Sequence, residues 1–241
     1  MTELQTPKAI LFLDFDGTIT QRDAVDAILE AYADPQWLTL EAEWRAGWRG
    51  SRECLRAQME LVRATRKQLD SLLDGIEIDE GLTTLLETCA AHEVPVHIIS
   101  DGFDYCIRRI LLRANKRVHA FLRGSRICAS RLEARGQQWR TEFPFFHQTC
   151  AHGCATCKPA VMRLLNAANA PAIFAGDGQS DQYAVEAADL VFAKNGLAEY
   201  CVEHSIEHSS YNNLGEVARH LDRWLIARVF LEDEIEERAS A

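Results

Sequence analysis

Two kinds of block alternate along this chain. Short, mostly apolar runs at 9–13, 94–99, 172–175 and 190–193 each stop at a turn rich in Gly, Asp or Asn. That is the pattern of strands buried on both faces, as in a parallel sheet. Between the runs, apolar residues recur three and four positions apart, as on one face of a helix. From Asp23 to about Leu86 the spacing is almost wholly helical. Ala24, Val25, Ile28 and Leu29 make one stripe, and Leu55, Met59 and Val62 continue the spacing. Further helices are expected at 81–91, 103–114, 158–168, 181–188 and 215–230. The stretch 118–146 has a different character: 118–122, 125–129 and 138–143 are short, turn-separated and strand-like, and 206–208 reads as one more strand. Strands alternating with helices predict an α/β fold, a Rossmann-like parallel sheet with helices on both faces.

Composition narrows this little. A chain of 241 residues, 47% hydrophobic and 26% charged, is globular and long enough for one α/β core with an inserted helical unit. A formal net charge of −10 argues against a nucleic-acid partner, and it requires local positive charge to capture any anionic substrate. No apolar run approaches the roughly 20 residues that span a bilayer. The N-terminus lacks the basic-then-apolar plan of a leader, so a cytoplasmic location with reduced thiols and no membrane partner is expected.

The candidate chemistry sits where the apolar runs end. Asp14 and Asp16 follow the first run, in Asp14-Phe15-Asp16-Gly17-Thr18. Ligands of open α/β sheets bind at the carboxyl ends of strands. Two carboxylates there can divide a reaction, one attacking and one moving a proton, and together hold a hard cation. Val96-His97-Ile98-Ile99-Ser100-Asp101-Gly102 ends a second run, Lys158-Pro159 opens a helix, and Ala172 to Asp181 carries Asp177 and Asp181 after a third.

These four segments, in this order, resemble the motifs of the haloacid dehalogenase-like phosphatases with a helical cap. The resemblance implies a core of 1–22 and 79–230, a helical cap of 23–78 and an acidic tail of 231–241. A small β and Cys-rich insertion would occupy 118–157 within the core. It implies hydrolysis of a small-molecule phosphate monoester through an aspartyl-phosphate. Asp14 would be the nucleophile and Asp16 the general acid and base, with Ser100 and Lys158 on the phosphoryl group. Asp14, Asp16 through its carbonyl, and Asp177 would hold Mg²⁺, with Asp181 behind them. Thr18, Asp23, Asp101 and Gly102 would line the phosphate and substrate. Of Trp37, Trp44 and Trp48 in the cap, one is a candidate for the substrate pocket and the others for cap core.

Cys150, Cys154 and Cys157 crowd the segment before Lys158, and Cys128 lies upstream. Three readings stay open: a closed structural Zn²⁺ site of these four thiolates, inert buried thiols, or a redox pair. The Cys-rich run before Lys158-Pro159 is similar to the branch of the family that acts on 2-hydroxy-3-keto-5-methylthiopentenyl-1-phosphate in methionine salvage. Phosphocholine, phosphoethanolamine and phosphoserine phosphatases are the alternatives. The phosphoserine branch needs a cap arginine for the substrate carboxylate, and Arg56 stands about two residues off that register. A catalytically silent metabolite- or redox-sensing module is the alternative of another class. Oligomeric state is left open.

Overall fold

The structure, a computed structural model, describes residues 7–239, with side chains described as far as Arg228. Its centre is β1 (Ile10–Leu13), buried along its whole length. β1 pairs in parallel with β2 (Val96–Phe103) and with β5 (Ala172–Gly176), so that Leu11 faces Val96 on one side and Ile173 on the other. β3 (Ile127–Arg135), β4 (Gln138–Glu142), β6 (Leu190–Ala193) and β7 (Ser209–Ser210) complete a seven-stranded sheet of order β4-β3-β2-β1-β5-β6-β7. Only the β3–β4 pairing is antiparallel.

Side chains alternate across the strands, and each face acquires its own core. Leu11, Leu13, Ile98 and Ile173 pack with α5 (Leu82–Ala91), α6 (Asp104–Leu111) and α10 (Leu214–Ala239). Ile10, Phe12, Ile99 and Phe174 pack with α8 (Lys158–Leu165) and α9 (Asn195–Glu203). This is the Rossmann-like sheet, helices on both faces, that the alternating blocks predict.

Four helices lie between β1 and α5: α1 (Ala24–Tyr32), α2 (Trp37–Arg45), α3 (Ser51–Leu61) and α4 (Arg66–Leu73). Asp23 caps α1, accepting from the N–H groups of Val25 and Asp26, and Thr65 with Gln68 forms a capping box on α4. The β3–β4 hairpin is tied to this group by the Trp139 indole, which donates to the Ala64 carbonyl at 2.9 Å.

Four expectations are corrected. Residues 118–122 are not a strand but the end of α7 (Lys116–Phe121) and the start of a 3₁₀ turn (Leu122–Gly124); α7 is started by the Asn115 side chain, which accepts from the N–H groups of Arg117 and Val118. The first strand of the 118–146 stretch is β3, a member of the main sheet rather than of a separate hairpin. Residues 181–188 form no α-helix; two single 3₁₀ turns, Gln179–Asp181 and Val185–Ala187, stand there. The strand expected at 206–208 is β7, slightly later. The side chains of the acidic 231–241 tail lie outside the described residues. Among the described residues no helix is long and apolar enough to cross a membrane.

Candidate active site

β1, β2 and β5 all end on the same edge of the sheet, so Asp14, Ser100 and Asp177 emerge side by side. Lys158, at the first turn of α8, enters from the second face and is 1% exposed. Its Nζ donates to Asp14 Oδ1 at 2.6 Å, to Asp181 Oδ1, and to Ser180 Oγ at 3.3 Å. Burial alone pulls a lysine's pKa down. Here the charges of Asp14, Asp181 and Asp101 outweigh it and hold Lys158 protonated, above its usual range.

Asp181 has both oxygens committed. Oδ1 takes the lysine, and Oδ2 accepts from the N–H groups of Asp177 and Gly178 at 2.9 and 3.1 Å. It therefore fixes both Lys158 and the turn that presents Asp177. Asp14 keeps Oδ2 free of any protein donor. Asp16 uses Oδ1 on the Ala24 N–H at 2.9 Å, which ties it to the start of α1.

Carboxylates approach this closely because three residues have no Cβ. A methyl group on Gly17 would collide with the Asp177 carboxylate, one on Gly102 with Asp16 Oδ2, and one on Gly176 with Asp181 Oδ2. Gly17 also sits at φ +75°, a conformation that glycine adopts without strain.

The result is an excess of negative charge. Burial pushes Asp14 well above the usual carboxylate range, with Asp181 adding to the effect and Lys158 opposing it. Burial, then Asp23, does the same to Asp16. Asp177 is pushed up to about 6 by burial and by Asp181. Carboxylate oxygens of Asp14, Asp177 and Asp181 lie within 4.8 Å of one another. An all-oxygen donor set facing one ammonium group suits a hard dication such as Mg²⁺. Because Asp181 is spent on Lys158 and backbone, Asp14 and Asp177 are the side chains left to hold it.

The other expected residues fall into place unevenly. Ser100 is buried, and its Oγ accepts from the Gly102 N–H at 2.9 Å, so that N–H is not free for phosphate as expected. Thr18 does not line the cleft. It is buried, donates to Asp177 Oδ1 at 3.4 Å and receives the Tyr211 hydroxyl at 3.5 Å. Asp101 points between segments, accepting from Ser51 Oγ and from the Thr156 N–H at 2.9 Å. Asp23 is the cap of α1, and burial with the charge of Asp26 pushes it up to about 7.

A cleft of ≈ 880 Å³ opens over Asp14 and Asp16 and is roofed by α1, α2 and α3. Asp26, Glu41, Trp44, Arg45 and Gln58 line that roof, and none of them carries a motif signature. Of the three cap tryptophans, Trp37 packs against the core, Trp44 lines the cleft and Trp48 is 83% exposed. Arg56 faces outward, 5.3 Å from the Phe143 ring, and does not reach the cleft.

The cysteine expectation is partly undone. Cys128 lies in the second core among Ile10, Phe12 and Ile99, and does not join the other three in a cluster of ligating geometry. Around the Cys150 thiol stand the N–H groups of Cys154 and His152 and the thiols of Cys154 and Cys157. Burial would raise its pKa, but these donors hold it below the usual thiol value. All eight cysteines are free, and the four-thiolate arrangement, one of the three open readings, is not assembled.

The pattern of the haloacid dehalogenase-like hydrolases matches residues 11–186. The 2-hydroxy-3-keto-5-methylthiopentenyl-1-phosphate phosphatase of Geobacillus thermodenitrificans is 27% identical, over 89% of this chain and 96% of its own. The protein of the same name from Bacillus pumilus is 26% identical, over 90% and 92%. Among solved structures, a phospho-aspartyl intermediate analogue of phosphoserine phosphatase superposes with TM-score 0.67 at 16% identity, over 90% of this chain and 99% of that one. With the family pattern running from β1 past Asp181, this chain belongs to the haloacid dehalogenase-like hydrolases.

Proposed function

We propose that this enzyme is a Mg²⁺-dependent phosphatase of small-molecule phosphate monoesters, working through an aspartyl-phosphate. The observation that carries the reading is the state of Asp14. One oxygen is held by a buried ammonium group and the other is free at the floor of the cleft. Asp14 attacks phosphorus as the bond to the alcohol oxygen breaks. Asp16 gives its proton to that oxygen. Asp16 then takes a proton from the water that attacks the aspartyl-phosphate, releasing phosphate and restoring Asp14. Such proton transfers contribute about 10²–10⁴-fold. Ser100 donates its hydroxyl to a phosphoryl oxygen, and Lys158 neutralises charge on Asp14 and the transferring group. Asp14, Asp177 and the carbonyl of Asp16 would hold Mg²⁺, which when bound would supply charge neutralisation between anionic nucleophile and anionic ester.

The helices α1–α4 act as the cap and choose the leaving group. The ester placed first is 2-hydroxy-3-keto-5-methylthiopentenyl-1-phosphate, supported by relatives of that name that align over most of both chains. A cytoplasmic setting, which keeps the eight thiols reduced, fits that role.

The test is phosphate release with Mg²⁺ from this ester, phosphocholine, phosphoethanolamine and phosphoserine, with Asp14→Asn as control. One ester far above the rest, silent in the variant, supports the reading. Release equal in enzyme and variant refutes the nucleophile. No release from any ester favours the sensing module.

A further inference from the structure

The roof of the cleft is rich in acceptors that have no donors. Asp26, in the first turn of α1, lines the cleft, and among the described residues no donor reaches its carboxylate. Gln58 is 2% exposed and lines the same wall. Its Nε2 donates to Glu41 Oε2 at 3.1 Å, and its carbonyl oxygen receives nothing. Asp23 caps α1 through Oδ1 alone, which leaves Oδ2 unused.

The positive charge nearby is already engaged. Arg45 Nε donates to Glu41 Oε1 at 2.9 Å, and Arg56 is turned outward to Phe143. No protein donor among the described residues reaches the Asp26 carboxylate or the Gln58 carbonyl, and both residues line the cleft, so a ligand entering it can supply one. Burial and the charge of Glu41 push Asp26 up to about 6, so this acid is held against its surroundings.

We infer that Asp26, with the Gln58 carbonyl lining the same cleft, is the specificity-determining group, accepting a hydrogen bond from a hydroxyl or ammonium of the leaving group and rejecting leaving groups that carry a carboxylate. The inference rests on the phosphatase reading above. The ester placed first there is a hydroxy ketone without a carboxylate, and it fits. A purely structural role for Asp26 at the helix N-terminus would set no substrate preference.

The experiment compares kcat and KM, with Mg²⁺, for phosphoethanolamine, glycerol 3-phosphate, phosphoglycolate and phosphoserine in the wild-type enzyme, Asp26→Asn and Asp26→Lys. The wild type is expected to favour the two donor-bearing esters over phosphoglycolate. Asp26→Asn lowers that ratio about tenfold, mainly through KM, and Asp26→Lys turns it toward phosphoglycolate. The ester with the larger KM rise in Asp26→Asn, phosphoethanolamine or glycerol 3-phosphate, identifies the donor as ammonium or hydroxyl. Ratios unchanged in both variants, with phosphate still released, overturn the inference and leave the phosphatase reading standing. No release from any ester in the wild type overturns that reading and this inference with it.

Discussion

Ser51 donates its hydroxyl to Asp101 Oδ2, joining the first residue of α3 to the end of β2. The same Ser51 oxygen accepts from the Ala155 N–H at 2.9 Å, and the other Asp101 oxygen accepts from the Thr156 N–H at 2.9 Å. The Arg52 N–H adds a bond to the Gly153 carbonyl at 3.1 Å. Three distant segments therefore meet beside the turn that delivers Lys158. Ser51→Ala leaves a buried carboxylate short of a donor and the Ala155 N–H short of an acceptor. It is expected to cost about 1–3 kcal/mol in denaturant unfolding and to lower kcat through a loosened Lys158. An unchanged kcat would show that this junction serves stability alone.

Removing Lys158 strands Asp14 and Asp181 in the interior, where their side chains are 5% and 0% exposed. Lys158→Met should destabilise the protein by about 3–5 kcal/mol without added metal, because an uncompensated buried charge is worse than none. Activity should fall at least 10²-fold. Thermal unfolding with and without Mg²⁺, alongside single-turnover phosphate release, checks both parts.

Chelation should remove activity and lower the melting temperature together. The carboxylates of Asp14 and Asp177 repel each other in the bare protein, and a cation that binds only the folded state stabilises it by mass action, about 2.7 kcal/mol at a hundred times its dissociation constant. Ca²⁺ should restore the melting temperature better than the rate, since its longer bonds and looser geometry hold the same oxygens differently. A melting curve indifferent to Mg²⁺ would count against the assigned donors.

Asp26 carries a pH signature. Its folded-state pKa is raised from 3.8 to about 6, so the ionised form is disfavoured by folding. The protonated form's stability is fully present below the unfolded value and is lost as pH rises from about 4 through 6. Asp26→Asn cannot ionise and escapes that loss. The variant should gain on the wild type across this window, reaching about 1 kcal/mol near pH 7 after allowance for solvent screening. Melting temperatures at pH 4 and pH 7 test it; a constant difference would refute the shift.

The candidate site was legible in the sequence because each of its residues stands where an apolar run ends or a helix begins. Asp14 and Asp177 follow apolar strands, Ser100 stands in β2 directly after its apolar run, and Lys158 opens a helix, so strand order brings the first three together. The roof was not legible. Asp26, Glu41, Trp44 and Gln58 lie on three different helices, and which face each helix turns inward is decided by packing between them. The misread segment 118–122 shows the limit of local pattern: dense apolar residues suggest a strand, while the Asn115 cap one turn earlier starts a helix. Residues 195–203 show no clear helical period, because α9 buries only Leu197 and Cys201. Cys128 faces the same core as α8, which Cys157 caps, yet the four thiols are not brought together, and sequence spacing does not reveal this.

Gly17, Gly102 and Gly176 each yield their Cβ space to a carboxylate of the site. Every single-base change in a glycine codon that alters the amino acid either adds at least that Cβ or ends the chain. The three positions thus have no conservative first step in mutation, and the spacing of Asp16, Asp177 and Asp181 is guarded by the genetic code as much as by the residues themselves.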